Sequence, residues 1–164
     1  MKTKRWLAAL LLPLLLFTLS CSEKALPTDV VAALCEVESD HPIGTLYSYR
    51  VSSSDAELIG DKMLCAMFGD GKLPSVIDEV ESGAFYLSPT HPYEITLFYT
   101  KSRDGAKKVA QMCLLRKEAI IRAWSGKGYD EYLQNAEVTV CGRWVMLSVS
   151  HDAKELAHRL DRLT

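Results

Sequence analysis

The sequence predicts an α+β domain in which an antiparallel sheet of about four strands carries helices packed mainly on one face. Three observations support this prediction. Residues 94–100 alternate their side chains in the manner of a strand, and residues 104–124 repeat apolar side chains at helical spacing. Residues 137–149 form two further alternating runs joined by a Gly-Arg pair, which is typical of a β-hairpin.

The other elements follow from local boundary signals. Thr28 is expected to cap the first helix, and Ser54 with Glu57 forms a capping box that predicts a second helix, ended by Gly69 and Gly71. The predicted helices occupy 28–39, 54–68, 104–124, 129–134 and 152–163, with a further helical turn or two at 75–81. The strand candidates are 45–51, 84–88, 94–100 and the two runs of the hairpin.

The hairpin is the clearest local prediction. Gly142 and Arg143 suit a two-residue type II′ turn with glycine in first place. This turn pairs Cys141 with Trp144, Val140 with Val145 and Val138 with Leu147. We expect helices to cover the face that carries the valines. The opposite face, with Trp144 and Met146, would be a contact patch only if no helix covers it.

The first twenty residues have the layout of a secretory signal. Lys2, Lys4 and Arg5 precede an apolar run over 6–19, and Ser20 closes the segment. As a helix, these fourteen residues reach roughly 21 Å, which is short of a hydrocarbon core about 30 Å thick. We therefore predict a signal peptide over 1–20, the alternative being a retained helix that is not cleaved.

Cys21 stands at the predicted cleavage site and resembles the cysteine of a bacterial lipobox, whose thiol is acylated. Thr18 departs from the usual leucine three places before that cysteine, and Thr18 with Ser20 also suits ordinary signal peptidase, which would give a secreted protein. A diacylglyceryl group on Cys21 would supply the two chains needed for firm anchoring. We predict lipid attachment at Cys21, a short tether over 21–27 and a single domain over 28–164, held at the outer face of the cytoplasmic membrane.

Charge and cysteine content limit the possible functions. Without the three basic residues of the signal, sixteen basic residues face twenty-one acidic ones, a net charge near −5. No concentrated basic patch stands out, so nucleic acid is not an expected partner. The remaining cysteines are either buried thiols or disulfide partners, and none forms a CxxC pair of the kind that binds zinc: Cys35, Cys65, Cys113 and Cys141.

No motif predicts a catalytic, cofactor-binding or metal-binding residue. The four histidines are expected to be solvated, and a Cys–His nucleophilic pair built on Cys113 or Cys141 has no sequence signal to align it. Tyrosines at loop edges either form a ligand or partner surface or pack into the sheet and core. This set, with one histidine, comprises Tyr47, Tyr49, Tyr86, His91, Tyr93, Tyr129 and Tyr132.

Two stretches resemble an uncharacterised family of lipoproteins from Gram-positive bacteria. They are YLSPTHPYEITLFYTKSRDGAKKVAQM at 86–112 and YDEYLQNAEVTVCGRWVMLSVSHDAKE at 129–155. Members resemble a lipoprotein signal followed by an alternating strand, a Lys-rich helix, a glycine hairpin and a closing helix. The resemblance implies attachment to the cell membrane. The family is a domain of unknown function, so no site residue is carried over.

These observations favour a non-enzymatic binding or interaction module at the cell envelope, with the membrane as one partner and an envelope protein or ligand as another. No cofactor is expected. The alternative is a small envelope enzyme whose site residues come together only in three dimensions. A lipoprotein that hands a small ligand to a transporter is a third possibility, although the chain is short for the usual two-lobed receptor.

Overall fold

Six strands form one mixed sheet at the centre of the fold, in the order β2-β1-β3-β4-β6-β5. This computed structural model describes residues 25–38 and 41–164. The strands are β1 (Thr45–Tyr49), β2 (Glu57–Leu58), β3 (Val80–Leu87), β4 (Glu94–Thr100), β5 (Glu137–Cys141) and β6 (Trp144–Val149). β1 and β2 run parallel, and every other pair of neighbours is antiparallel.

Helices cover both faces of this sheet. They are α1 (Pro27–Cys35), α2 (Asp61–Phe68), α3 (Arg103–Trp124), α4 (Asp130–Asn135) and α5 (Ala153–Leu163), with a 3-10 turn at Ser75–Glu79. α2 and α3 lie on the face that carries Glu94, since Arg116 of α3 bonds to that carboxylate. α1 and α5 lie on the other face, where the thiol of Cys141 donates to Asp161 of α5. Within the part of the chain described, no helix is both long and apolar enough to span a bilayer.

The α+β class is confirmed, but the detailed architecture differs from the sequence prediction. The sheet has six strands and is mixed, where about four antiparallel strands were expected, and helices pack on both of its faces. Strands β3, β4 and β6 carry buried side chains on both faces, so they need cover on both sides. The six-stranded count includes β2, whose two residues are exposed and carry no alternating pattern.

The capping box at Ser54 and Glu57 does not start a helix. Glu57 instead pairs with Tyr47 of β1, and the backbone N–H of Ile59 donates to the carbonyl of Ser48 at 2.8 Å. The helix α2 begins only at Asp61 and ends at Phe68, with Gly69 following it as expected. Pairing with the preceding strand β1 satisfies the backbone of this segment, and this outweighs the local capping signal.

The first helix also begins differently. α1 starts at Pro27, with Leu26 at the capping position, and Thr28 does not act as the cap. Proline suits the first helical position because its missing N–H has no partner to lose there. The helix ends at Cys35, short of the predicted 39, and residues 39 and 40 lie outside the described residues. Strand β3 begins at Val80 rather than 84, with a register irregularity between Val80 and Ser82.

The predictions made from the second half of the chain are largely confirmed. Strand β4 has the expected bounds, and α3 begins one residue early, with the Ser102 hydroxyl accepting from the N–H of Gly105. The hairpin has the predicted register, and Gly142 has a φ of +60°. Trp144 and Met146 are both buried, so the second hairpin face is not an exposed contact patch. The predicted signal over 1–20 and the predicted lipid site at Cys21 lie outside the described residues.

Candidate functional site

A cleft of about 350 Å³ lies between α2 and α3, over the end of the sheet where β3 finishes and β4 begins. The loop between these two strands, which contains Pro89 and Pro92, forms one side of it. The other walls come from β1, α2 and α3. Its lining residues include Thr45, Tyr47, Met63, Met67, Leu87, His91, Tyr93, Glu94, Arg116, Ile120 and Trp124.

The packing of α2 explains why the cleft lies at this end. Three phenylalanine rings, one of them from α2, pack between α2 and the sheet. They lie nearer the middle of β3 and β4 than the cleft does. Their ring centroids are 5.4 to 6.3 Å apart, and the rings belong to Phe68, Phe85 and Phe98. Beyond them, β3 and β4 present Leu87 opposite Glu94. A carboxylate that bonds sideways to α3 does not fill the space as a ring does, and a concave surface results.

The polar end of the cleft is an ion pair between Glu94 and Arg116. The Arg116 Nη2 donates to Oε2 of Glu94 at 2.7 Å, and its Nε donates to the same oxygen at 3.2 Å. The hydroxyl of Thr96 donates to the other oxygen, Oε1, at 3.0 Å. The Glu94 side chain is 4% exposed and that of Arg116 is 23% exposed. The carboxylate is therefore satisfied inside the protein, while Arg116 is partly exposed and lines the cleft.

One edge of this guanidinium has no partner among the described residues. An arginine side chain carries five N–H donors, one on Nε and two on each terminal nitrogen. The described hydrogen bonds of Arg116 use Nε and Nη2, and none uses Nη1. Since Arg116 lines the cleft, Nη1 is the atom that we expect to donate to a group there.

Cys113 lies close behind the ion pair but is not a nucleophile. Its side chain is fully buried, and burial together with the Glu94 charge raises the pKa of the thiol. A protonated, inaccessible thiol does not attack a substrate. Cys141 lies on the opposite face of the sheet, where it bonds to Asp161. The structure thus assembles no Cys–His pair from either cysteine within the described residues.

Behind the cleft, five rings form a second feature that we call the tyrosine–histidine cluster: His41, Tyr86, Tyr93, Tyr132 and His151. Its ring centroids are between 3.9 and 6.3 Å apart. Tyr93 is 1% exposed and belongs to both the cluster and the cleft lining. Burial, reinforced by the Glu38 charge, raises the pKa of Tyr93. The cluster reaches the lining of the cleft through Tyr93.

The tyrosines singled out in the sequence therefore divide between two roles. Tyr47 and His91 line the cleft, Tyr49 and Tyr132 are buried in the packing, and Tyr93 does both. The prediction of solvated histidines holds for His158 alone. The other three are half-buried against tyrosine rings: His41, His91 and His151.

The sequence analysis did not identify the residues that give the cleft its polarity. Arg116 carried a usable signal, because it lies three residues after Cys113 and four before Ile120, on the buried stripe of α3. A charged residue on an apolar stripe needs a buried partner. Glu94 offered a weaker signal as an acidic residue at the start of a buried strand.

The described cysteines are all free thiols, which answers the question the sequence left open for Cys35, Cys65, Cys113 and Cys141. Across residues 25–38 and 41–164, no three His, Cys, Asp or Glu side chains are grouped to hold a metal ion. No protein-family model matches this chain, and neither curated proteins nor solved structures gave a match.

Proposed function

We propose that this protein is a non-enzymatic binding module held at the outer face of the cytoplasmic membrane by lipid on Cys21, and that the cleft is its binding site. The proposal combines the signal and cysteine at the start of the chain with the geometry of the cleft. It includes kinship with the uncharacterised lipoproteins that residues 86–112 and 129–155 resemble.

The observation that carries this proposal is the position of the cleft relative to the first described residues. Ala25 and Leu26 line a surface pocket together with Tyr99 and Trp144, toward the far end of β4 from Glu94. Glu94 and Tyr99 are five residues apart along β4, a separation of about 17 Å. A lipid on Cys21, four residues before Ala25, would hold that end near the bilayer. The cleft would then lie on the side remote from the membrane, where a partner can reach it.

The chemistry of the cleft supports binding more than catalysis. A general base needs a free lone pair within reach of a substrate proton. Both oxygens of Glu94 already accept hydrogen bonds, and its side chain is almost fully buried. The pair with Arg116 therefore suits a fixed polar anchor.

One contact at the rim favours the alternative of a small envelope enzyme. The Thr90 hydroxyl lies 2.8 Å from Nδ1 of His91, which is a distance suited to a nucleophile and its base. An enzyme that used this pair would lose its activity in both Thr90→Ala and His91→Asn. A binding module would keep ligand affinity in Thr90→Ala, since Thr90 does not line the cleft.

The anchor is tested by intact-mass measurement of the full chain extracted from the membranes of a bacterial host with a lipoprotein pathway. We expect a chain that starts at Cys21 and carries a diacylglyceryl group. Cys21→Ser should release the protein from the membrane fraction, and the control Cys65→Ser should leave it bound. A soluble, unacylated wild-type product would contradict the proposal.

A further inference from the structure

We propose that the cleft takes an uncharged apolar residue of a peptide segment, with its side chain between α2 and α3 and its carbonyl oxygen bonded to Nη1 of Arg116. This inference deepens the proposed function, since it rests on the cleft being the binding site. It does not depend on the lipid anchor.

The charge balance of the cleft selects an uncharged ligand. The Glu94 carboxylate lies within 2.7 Å of Arg116, so the pair has no net charge to offer an anion. An anion bonded to Nη1 would also face the buried carboxylate, whose field is weakly screened. A cation has no free acceptor there, because Glu94 is already saturated by Arg116 and Thr96. A neutral carbonyl oxygen accepts from Nη1 without either penalty.

The walls of the cleft select an apolar side chain. Met63 and Met67 come from α2, and Ile120 and Trp124 come from α3. Methionine adapts its shape to an irregular apolar group, and the tryptophan ring offers a large apolar surface. The volume of about 350 Å³ is at the small end for ligand pockets, which fits one large side chain rather than a cofactor.

A neutral carbonyl and an apolar side chain together indicate that the ligand is a peptide. An apolar side chain attached beside a neutral carbonyl is the repeating unit of a peptide chain. A fatty acid supplies the apolar body, but its carboxylate is charged at neutral pH. We therefore assign the cleft to a partner that presents an apolar residue in an exposed, uncharged segment.

The test uses the full chain in phosphatidylcholine nanodiscs, labelled with ¹³C at its methionine methyl groups. N-acetyl-phenylalaninamide is the probe, and N-acetyl-phenylalanine and N-acetyl-glycinamide are its matched controls. We expect the amide to shift the Met63 and Met67 signals saturably, with a dissociation constant on the order of 1 mM for so small a probe. The acid should bind at least tenfold more weakly and the glycine amide should not bind. Met146, buried on the other face, should not respond.

Two variants separate the walls from the polar anchor. Met67→Trp fills the cleft and should abolish the response, whereas Leu115→Trp, on the exposed side of α3, should keep it. Glu94→Gln leaves Arg116 with a net positive charge, and the preference should then invert in favour of the acid. Equal binding of acid and amide by the wild-type chain would overturn the inference whether or not a variant folds.

The same preparation distinguishes failure of the inferred ligand class from failure of the proposed function. Its intact mass reports the lipid on Cys21 independently of the probes. A lipidated chain that treats acid and amide alike overturns the ligand class alone. A chain that selects the amide but carries no lipid overturns the anchor alone. If no probe shifts Met63 or Met67, the cleft is not a binding site and both proposals fall.

Discussion

The carboxylate of Glu94 and the guanidinium of Arg116 join β4 to α3 through a pair in which the acid is almost fully buried and the base borders the cleft. Because the carboxylate lies beneath the helix, its charge has little access to water. Its hydrogen bonds to Arg116 and Thr96 replace that hydration. Breaking the pair would leave a buried carboxylate uncompensated, and the same pair sets the polarity of the cleft.

Removing the cation should therefore destabilise the protein. We expect Arg116→Ala to lower the free energy of unfolding by about 3 kcal/mol, because an uncompensated carboxylate would remain buried. Urea denaturation measures the change. The control is Arg122→Ala on the same helix, where the pair with Glu118 is exposed and 3.7 Å long. That variant should lose less than about 1 kcal/mol. Equal losses in the two variants would show that the Glu94 pair behaves as a surface pair.

The four described cysteines should differ in reactivity. Cys65 and Cys141 are partly exposed, whereas Cys35 and Cys113 are buried. Only the thiolate reacts, and it forms where the thiol is accessible. In the native protein, we expect an alkylating reagent to label Cys65 and Cys141 within minutes and the other two only after unfolding. Mass spectrometry of the labelled peptides identifies the sites. A cysteine that remains unlabelled in denaturant without reductant would instead indicate a disulfide.

The hairpin turn offers a test of backbone conformation alone. Gly142 has a φ of +60°, and a Cβ added there would meet no atom within 4 Å. Gly142→Ala should therefore lower the free energy of unfolding by about 1–2 kcal/mol through conformational strain and not through a clash. Gly142→Asn keeps Arg143 with its hydrogen bond to Thr100 and places at the turn a residue that tolerates a positive φ, so it should lose less stability than Gly142→Ala. Thermal unfolding compares the variants. If Gly142→Ala is as stable as the wild type, the turn does not impose this conformation.

These examples also show which parts of the molecule the sequence can predict. The hairpin was predicted with its register because its turn and both strands are adjacent in the chain, so local signals determine it. The same holds for β4 and for α3, whose patterns are long and regular. Strand β2 was missed because Glu57 and Leu58 become a strand only by pairing with Tyr47 and Ser48 of β1. Pairing of this kind has no signature in a two-residue segment.

The cleft required the tertiary structure for the same reason. Glu94 and Arg116 are 22 residues apart, and they meet because α3 folds back over β4 and β6. The tyrosines were visible as candidates, but their division between cleft and packing depends on which helix covers each face. Tyr86 is an example. Its ring packs 5.5 Å from that of His41, a residue 45 positions away in the chain.

The buried thiols should make the fold sensitive to alkaline pH. Burial, with the charges of Glu38 and Glu36 adding to it, raises the pKa of Cys35 from 9.0 to about 12, and burial raises the pKa of Cys113 as well. The unfolded chain releases these protons above pH 9, whereas the native state keeps them. Stability is therefore at its full value below pH 9 and falls as the pH rises from 9 to 12. Each thiol contributes a slope of up to about 1.4 kcal/mol per pH unit.

Substitution of Cys35 isolates the contribution of this thiol to the loss of stability at alkaline pH. Cys35→Ala leaves a small cavity and lowers the free energy of unfolding at pH 7, but alanine does not titrate. We expect the slope between pH 9 and 10 to decrease by up to about 1.4 kcal/mol per pH unit relative to the wild type, measured by urea denaturation at each pH. Tyrosines that ionise in the unfolded chain, Tyr93 among them, are present in both proteins, so their contribution cancels in this comparison. Cys65→Ala, at a partly exposed site, should leave the slope unchanged. An unchanged slope in Cys35→Ala would mean that this thiol ionises as readily in the native state as in the unfolded one. That result would contradict the prediction.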